Sequence, residues 1–196
     1  MAKIKHTKNE MKAQNEALTR YKRFLPMLQL KKQQLQVEIQ TIDTQLEARK
    51  DAFDSAMEAL TQWAALFAEP VKLGSLLEKG AVETESGNIA GVSIPIFKSI
   101  LIKRSALDLF TTPTWLDDAQ DALCNLMELR AEIEILEEQR RLVSEELRTT
   151  AQRVNLFEKV KIPECQENIR IINIFLGDEQ TAAVARGKLA KKRNEK

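Results

Sequence analysis

Between Leu18 and Phe67 one helical stripe keeps a three–four step and is apolar at thirteen of its fifteen positions. It reads Leu18, Tyr21, Leu25, Leu28, Lys32, Leu35, Ile39, Ile42, Leu46, Arg49, Phe53, Ala56, Leu60, Trp63, Phe67. The step averages about 3.5 residues, which keeps one face toward a partner only when the helix supercoils left-handedly. A lone helix would leave the whole stripe in water, at roughly 25 cal/mol per Å² of apolar surface. The stripe therefore demands a second long helix.

The second half of the chain supplies one. From about Pro113 the pattern Leu126, Leu129, Ile133, Leu136, Arg140, Val143, Leu147, Thr150, Val154, Phe157 repeats the same step. Near Pro163 the stripe slips by one position and resumes as Ile162, Cys165, Ile169, Ile172, Leu176. A one-residue slip changes the local winding, and proline gives it a cause. The first helix is expected from about Lys8 to Phe67, with a kink at Pro26 and a stop at Ala68-Glu69-Pro70. Thr112 is placed to cap the second helix, with Pro113 at its first position. The basic end GKLAKKRNEK is expected to fray.

Residues 71–112 differ in character. VKLGSLL suggests a helical turn or two, and Gly87, Gly91 and Pro95 then rule out a long helix. Val92, Ile94, Ile96 and Ile100 favour extended chain, so a short β-hairpin or structured loop is expected, with Pro95 on an edge. The fold class is all-α: a long antiparallel two-helix coiled coil with a short irregular or β-hairpin insertion. Its parts are residues 1–70, 71–112 and 113–196. Such a helical hairpin would be about 80–90 Å long, with both termini at one tip and the glycine-rich segment at the other.

Composition agrees with long solvated helices: charged residues make up 30% and aromatics 5%. The 30 basic and 29 acidic residues nearly cancel, so no bulk charge points to nucleic acid. No apolar run is long enough to cross a membrane, and MAKIKHTKNE lacks the apolar core of a secretory signal. On one straight helix Cys124 and Cys165 would stand roughly 60 Å apart, too far to bridge. Free thiols suit a reducing cytosol.

Catalytic constellations are not expected. There is no GxxxxGK[ST] phosphate loop, and no cofactor or metal site is read from the chain. The single histidine, His6, lies in a basic tail and is read as solvated. The carboxylates Glu132, Glu134, Glu137, Glu138, Glu145 and Glu146 are read as a solvated helix face.

Three sets of residues carry functional readings. Lys32, Arg49 and Arg140 interrupt the stripes; either their stems pack while their heads reach the edge, or they set register and meet a partner carboxylate. The basic residues Lys3, Lys5, Lys8, Lys12, Lys188, Lys191, Lys192 and Arg193 meet at one tip of an antiparallel hairpin. They form either a soluble tail pair or an electrostatic contact surface. No aromatic residue stands beside them to stack on RNA bases. Ile89, Val92, Ile94, Ile96 and Phe97 are apolar in a small segment, which makes them an intramolecular cap or a docking face.

A family resemblance gathers these readings. RVNLFEKVKIPECQENIRII, residues 153–172, resembles the signature of the D subunits of V-type and A-type ATPases, with matches at Arg153, Val154, Asn155, Glu158, Ile162, Pro163, Glu167, Asn168 and Ile169. LQLKKQQL (28–35) and NIAGVSIPIF (88–97) are similar to two further family segments, in the same order. Leu25-Pro26 and Leu156-Phe157 depart from the pattern, and the C-terminus has fewer aromatics. This is the profile of a divergent, bacterial member. The resemblance implies a non-catalytic central-stalk rotor. Its coil would enter the hexamer of A and B subunits, with the F subunit at its side and the lower-stalk C/d subunit beneath it. It would pass torque between ATP turnover and H⁺ or Na⁺ transport, on the cytoplasmic side and peripheral to the membrane, with no nucleic acid and no membrane insertion. A stand-alone coiled-coil adaptor is the alternative.

Overall fold

The computed structural model describes residues 5–61, 77–106, 113 and 115–194. Its elements in chain order are helix α1 (Lys8–Thr61), strands β1 (Leu77–Ile89) and β2 (Val92–Arg104), helix α2 (Trp115–Leu156), a π-helical turn (Phe157–Lys161) and helix α3 (Ile162–Asn194). The chain is mostly helical, with one small antiparallel hairpin. The expected stop at Ala68-Glu69-Pro70, the VKLGSLL turn before Leu77, Trp63, Phe67 and the Thr112 cap lie outside the described residues.

Thr7 starts α1. Its Oγ1 accepts the backbone N–H of Glu10 at 3.2 Å, and its carbonyl accepts that of Met11 at 3.0 Å. This satisfies a donor that every helix start leaves open. The helix runs unbroken through Pro26, which is exposed. Thr19, Thr41, Thr44 and Thr61 donate their hydroxyls to the carbonyl four residues back, so these poor helix formers sit on the surface without an unmet polar group.

The contacts divide the molecule into two compact units. One holds residues 33–147, the other residues 1–32 with 148–196. In the first, Leu35, Ile42, Ile94 and Val143 form a buried cluster, flanked by Ile39, Ile89, Ala90, Val92, Leu136, Leu142 and Leu147. Three chain-distant segments meet there: α1, the hairpin tip and α2. Asp43 meets Arg140 and Arg49 meets Glu132, so rising positions on α1 face falling positions on α2. In the second unit the order is again reversed: the Tyr21 ring lies 5.0 Å from Phe157 and the His6 ring 4.9 Å from Phe175. Asn168, buried, donates to Gln14 Oε1 at 3.4 Å.

The insertion is a longer hairpin than its sequence suggests, with two thirteen-residue strands. Ala90 (φ 50°) and Gly91 (φ 85°) form a two-residue turn with both φ positive, the geometry that matches strand twist. Asn88 Oδ1 accepts the Gly91 N–H at 2.9 Å and holds the turn. Register breaks between Lys79 and Val82 and between Glu83 and Thr84 mark two bulges, one adding a residue to β1 and one to β2. Their offsets cancel, so Leu77 still faces Arg104 at the base as Ile89 faces Val92 at the tip.

The hairpin lies along α2. Near its base Arg104 Nη1 donates to Asp121 Oδ1. Lys79 Nζ stands 3.7 Å from Glu134, and the buried Gln139 donates to the Pro95 carbonyl. The tip therefore reaches back to Leu35 and Val143. Sequence periodicity carried no distance information for such a return.

Of the C-terminal GKLAKKRNEK, residues 187–194 are helical. Lys and Arg are good helix formers, and Lys191, Lys192 and Arg193 occupy the last turn, where cations favour the helix dipole.

Candidate functional site

Of the three charged stripe positions, Lys32 is half-buried and two arginines pair within the chain. Arg49 Nε lies 2.8 Å from Glu132 Oε2, an oxygen that is buried and has no aligned hydrogen bond, so the contact is an ion pair rather than a directed bond. Arg140 Nε donates to Asp43 Oδ1 at 2.5 Å. Both arginine side chains are about half exposed, so neither is sealed inside the seam.

The carboxylate face is largely engaged in ion pairs. Glu134 pairs with Arg130 and Lys79, and Glu137 with Lys50. Arg141 holds Glu138 and Glu145 together. The Arg141 guanidinium donates to Glu138, which keeps that carboxyl below its ordinary range and raises the arginine in turn. No cluster of three or more His, Cys, Asp or Glu side chains that could hold a metal ion occurs among the described residues.

The basic residues Lys5, Lys8, Lys12, Lys188, Lys191, Lys192 and Arg193 are all exposed, and Lys3 lies outside the described residues. Lys12 stands 4.0 Å from Glu16. His6, read as solvated, is exposed but also rests its ring against Phe175. Cys124 and Cys165 are free and buried. Burial pushes the Cys165 thiol up from its ordinary value.

The apolar hairpin residues separate into two groups. Ile94 is buried, and Ile89 and Val92 pack with it against Leu35, Ile42 and Val143. Ile96 is 44% exposed and Phe97 half-buried. Both line an open cavity of about 490 Å³ whose polar side carries Arg49, Glu132 and Gln139. Sequence reading missed this cavity, because Gln139 sits outside the apolar stripe and nothing marks it as Pro95's partner.

The family model for the ATP synthase D subunits matches residues 10–192. The V-type ATP synthase D subunit of Borreliella burgdorferi is 46% identical over 191 residues, spanning 97% of this chain and 95% of that protein. Those of Chlamydia felis and Chlamydia caviae are 34% and 33% identical, each over 98% of this chain and 94% of their own length. The chain belongs to the family of ATP synthase D subunits. Its family-like segment of residues 153–172 coincides with the one irregularity in the C-terminal helices. Val154 is buried and Ile162 half-buried, while Arg153, Asn155, Glu158 and Pro163 are exposed around the π turn. The Ile162 N–H reaches back to the Phe157 carbonyl, five residues away, and so takes up the extra residue that the stripe contains there. Among its described residues this member of the D-subunit group shows no helix long and apolar enough to cross a membrane.

Proposed function

We propose that this chain is the non-catalytic central-stalk shaft of a V/A-type rotary ATPase. The observation that carries the reading is the D-type family match, which runs from residue 10 to residue 192 and so takes in both long helical segments. The reversed order of contacts within each unit supports an antiparallel two-helix coiled coil, built from residues 1–70 and 113–196 with an insertion at 71–112. In this reading one end of the coil enters the hexamer of A and B subunits, F binds its side and C/d holds its lower end. Torque passes between ATP turnover and H⁺ or Na⁺ movement, and the chain stays on the cytoplasmic side, peripheral to the membrane. A stand-alone adaptor is not favoured, because the relatives are subunits of an ATP synthase.

Site roles follow from the same reading. Lys3, Lys5, Lys8, Lys12, Lys188, Lys191, Lys192 and Arg193 give the bore end a diffuse positive charge, which guides without creating a deep angular trap. Lys32, Arg49 and Arg140 fix register at the edge of the seam. Ile96 and Phe97 offer the outer face of the hairpin to a lower-stalk or regulatory contact, while Ile89, Val92 and Ile94 hold it to the helices. Size measurement of the purified chain with and without the F subunit tests the reading. The shaft gives a monomer that becomes a one-to-one pair; a homo-oligomer indifferent to F would overturn it.

A further inference from the structure

In two antiparallel helices packed along three–four stripes, the residue before each stripe position falls on one flank of the pair and the residue after it on the other. The two-fold axis that exchanges such helices leaves each flank in place, so like positions share a flank. Lys50 and Glu137, each one place after a stripe residue, meet in this way at 3.2 Å. In the unit of residues 33–147 the opposite flank is taken by the hairpin. Gln139, one place before Arg140, donates to the Pro95 carbonyl, and Ile135, one place before Leu136, lines the cavity beside Ile96 and Phe97. In the unit of residues 1–32 and 148–196 the corresponding positions are apolar but uncovered among the described residues. Phe24, Met27 and Leu30 on α1 and Leu156 and Val160 across the seam are between 44% and 63% exposed. Phe24, Met27 and Leu156 each stand one place before a stripe residue, and the Tyr21–Phe157 ring contact sets the two helices' groups at one level.

The rim of this flank has one sign. Residues 17–32 and 148–163 hold nine Lys and Arg and a single acid, Glu158, which follows Phe157 and so falls on the far flank. Arg20, Arg23 and Arg153 are exposed and have no ion-pair partner among the described residues, whereas Arg130, Arg141 and Arg170 on other exposed faces are all paired. We propose that this flank docks an acidic amphipathic helix of a partner polypeptide. Its apolar side lies along the strip of Phe24, Met27, Leu156 and Val160, and its Asp and Glu face Arg20, Arg23 and Arg153. The groove between two packed helices seats a third helix, and the unpaired cations select one of opposite charge. A second copy of this chain would set like charges against each other. The inference stands on this chain's own surface; the shaft reading adds only that the helix belongs to the same assembly.

Photo-crosslinking of the full chain tests it. Benzoylphenylalanine in place of Met27 is irradiated in the complex assembled in cells, and the product is read by peptide mass. A helical segment with more Asp and Glu than Lys and Arg is expected. A peptide of that segment should bind the purified full chain, more weakly as salt rises. Phe24→Ala should weaken that binding by about tenfold or more, and so should the triple change Arg20→Glu, Arg23→Glu, Arg153→Glu. Lys22→Glu, on the far flank, should change it by less than about twofold. All these side chains are exposed, so helical content and the unfolding midpoint should stay as in the parent. A crosslink to a neutral or basic segment, to lipid, to RNA or to a second copy overturns the docking flank, as does no crosslink at all or binding indifferent to these changes. If the purified chain comes without A and B subunits the shaft reading fails, and the crosslink still decides the flank.

Discussion

Arg140 reaches Asp43 across ninety-seven positions of chain, Nε to Oδ1 at 2.5 Å. The two groups stand on different helices beside the Leu35–Ile42–Val143 cluster, and both are substantially exposed. A pair in that setting sets alignment more than stability. Exposed ion pairs couple by roughly 0.2–1 kcal/mol and weaken with salt. A double-mutant cycle with Arg140→Ala and Asp43→Ala, read by urea unfolding, should give a coupling in that range at low salt and almost none at high salt.

Burial predicts a sharper contrast. Leu35 is fully buried in the central cluster, whereas Leu101 on β2 is 56% exposed. Leu35→Ala should cost about 2–5 kcal/mol through lost transfer energy and the cavity left behind. Leu101→Ala should stay within about 0.5 kcal/mol. Urea unfolding of the two variants checks the pair.

Two glycines should respond with opposite signs. A Cβ at Gly80 would sit 2.5 Å from the Leu101 carbonyl oxygen, at the bulge between Lys79 and Val82. Gly80→Ala must push the strands apart and should lower the melting temperature. Nothing lies within 4 Å of a Cβ at Gly177, inside α3. Gly177→Ala should stabilise by roughly 0.5–1 kcal/mol, because alanine loses less backbone freedom in a helix.

Acid should erase one local advantage. Arg141 hydrogen-bonds the Glu138 carboxylate and lowers its pKa from the ordinary 4.5. The folded form therefore releases this proton more readily than the unfolded chain. The contribution is present above the unfolded value and is lost as pH falls through the folded one. Both groups are exposed, so the effect is small. Glu138→Gln should unfold slightly more easily than the parent at neutral pH, and the difference should vanish as pH falls below the ordinary carboxylate range.

Charge at the basic end should matter in the assembled enzyme rather than in the isolated chain. Replacing Lys188, Lys191, Lys192 and Arg193 with Gln should weaken joining to the A/B hexamer in a salt-sensitive way, with little change in the helical content of the chain alone. Assembly that is unaltered across ionic strengths would count against this contact.

The two stripes were legible because burial in a long helix repeats. From Leu18 to Leu60 every stripe residue is buried or half-buried except Arg49, and from Leu126 to Phe157 every one except Arg140. The slip before Pro163 was legible for the same reason, since an inserted residue breaks the step, though its π form needs backbone bonds to be seen. The hairpin was harder. Gly87, Gly91 and Pro95 excluded a long helix and Val92, Ile94, Ile96 and Ile100 announced extended chain, but compensating bulges at Gly80-Ala81 and Lys98 leave no period to follow. Two buried glutamines bond to its strands' carbonyls or just past them, Gln120 to Ser105 and Gln139 to Pro95, and the polarity of a glutamine does not advertise burial. The pairing of Arg49 with Glu132 was equally hidden, because one glutamate among many on a charged face has no distinguishing neighbour.

The meeting of Leu35, Ile94 and Val143 also sets a condition on biosynthesis. Leu35 leaves the ribosome about a hundred residues ahead of Val143, which at ~5–20 residues per second is a wait of several seconds or more. Throughout that interval the sticky side of the first helix has no finished mate within its own polypeptide. A nascent chain of this design calls for shelter from a chaperone, or for rapid completion, before it meets another copy of itself.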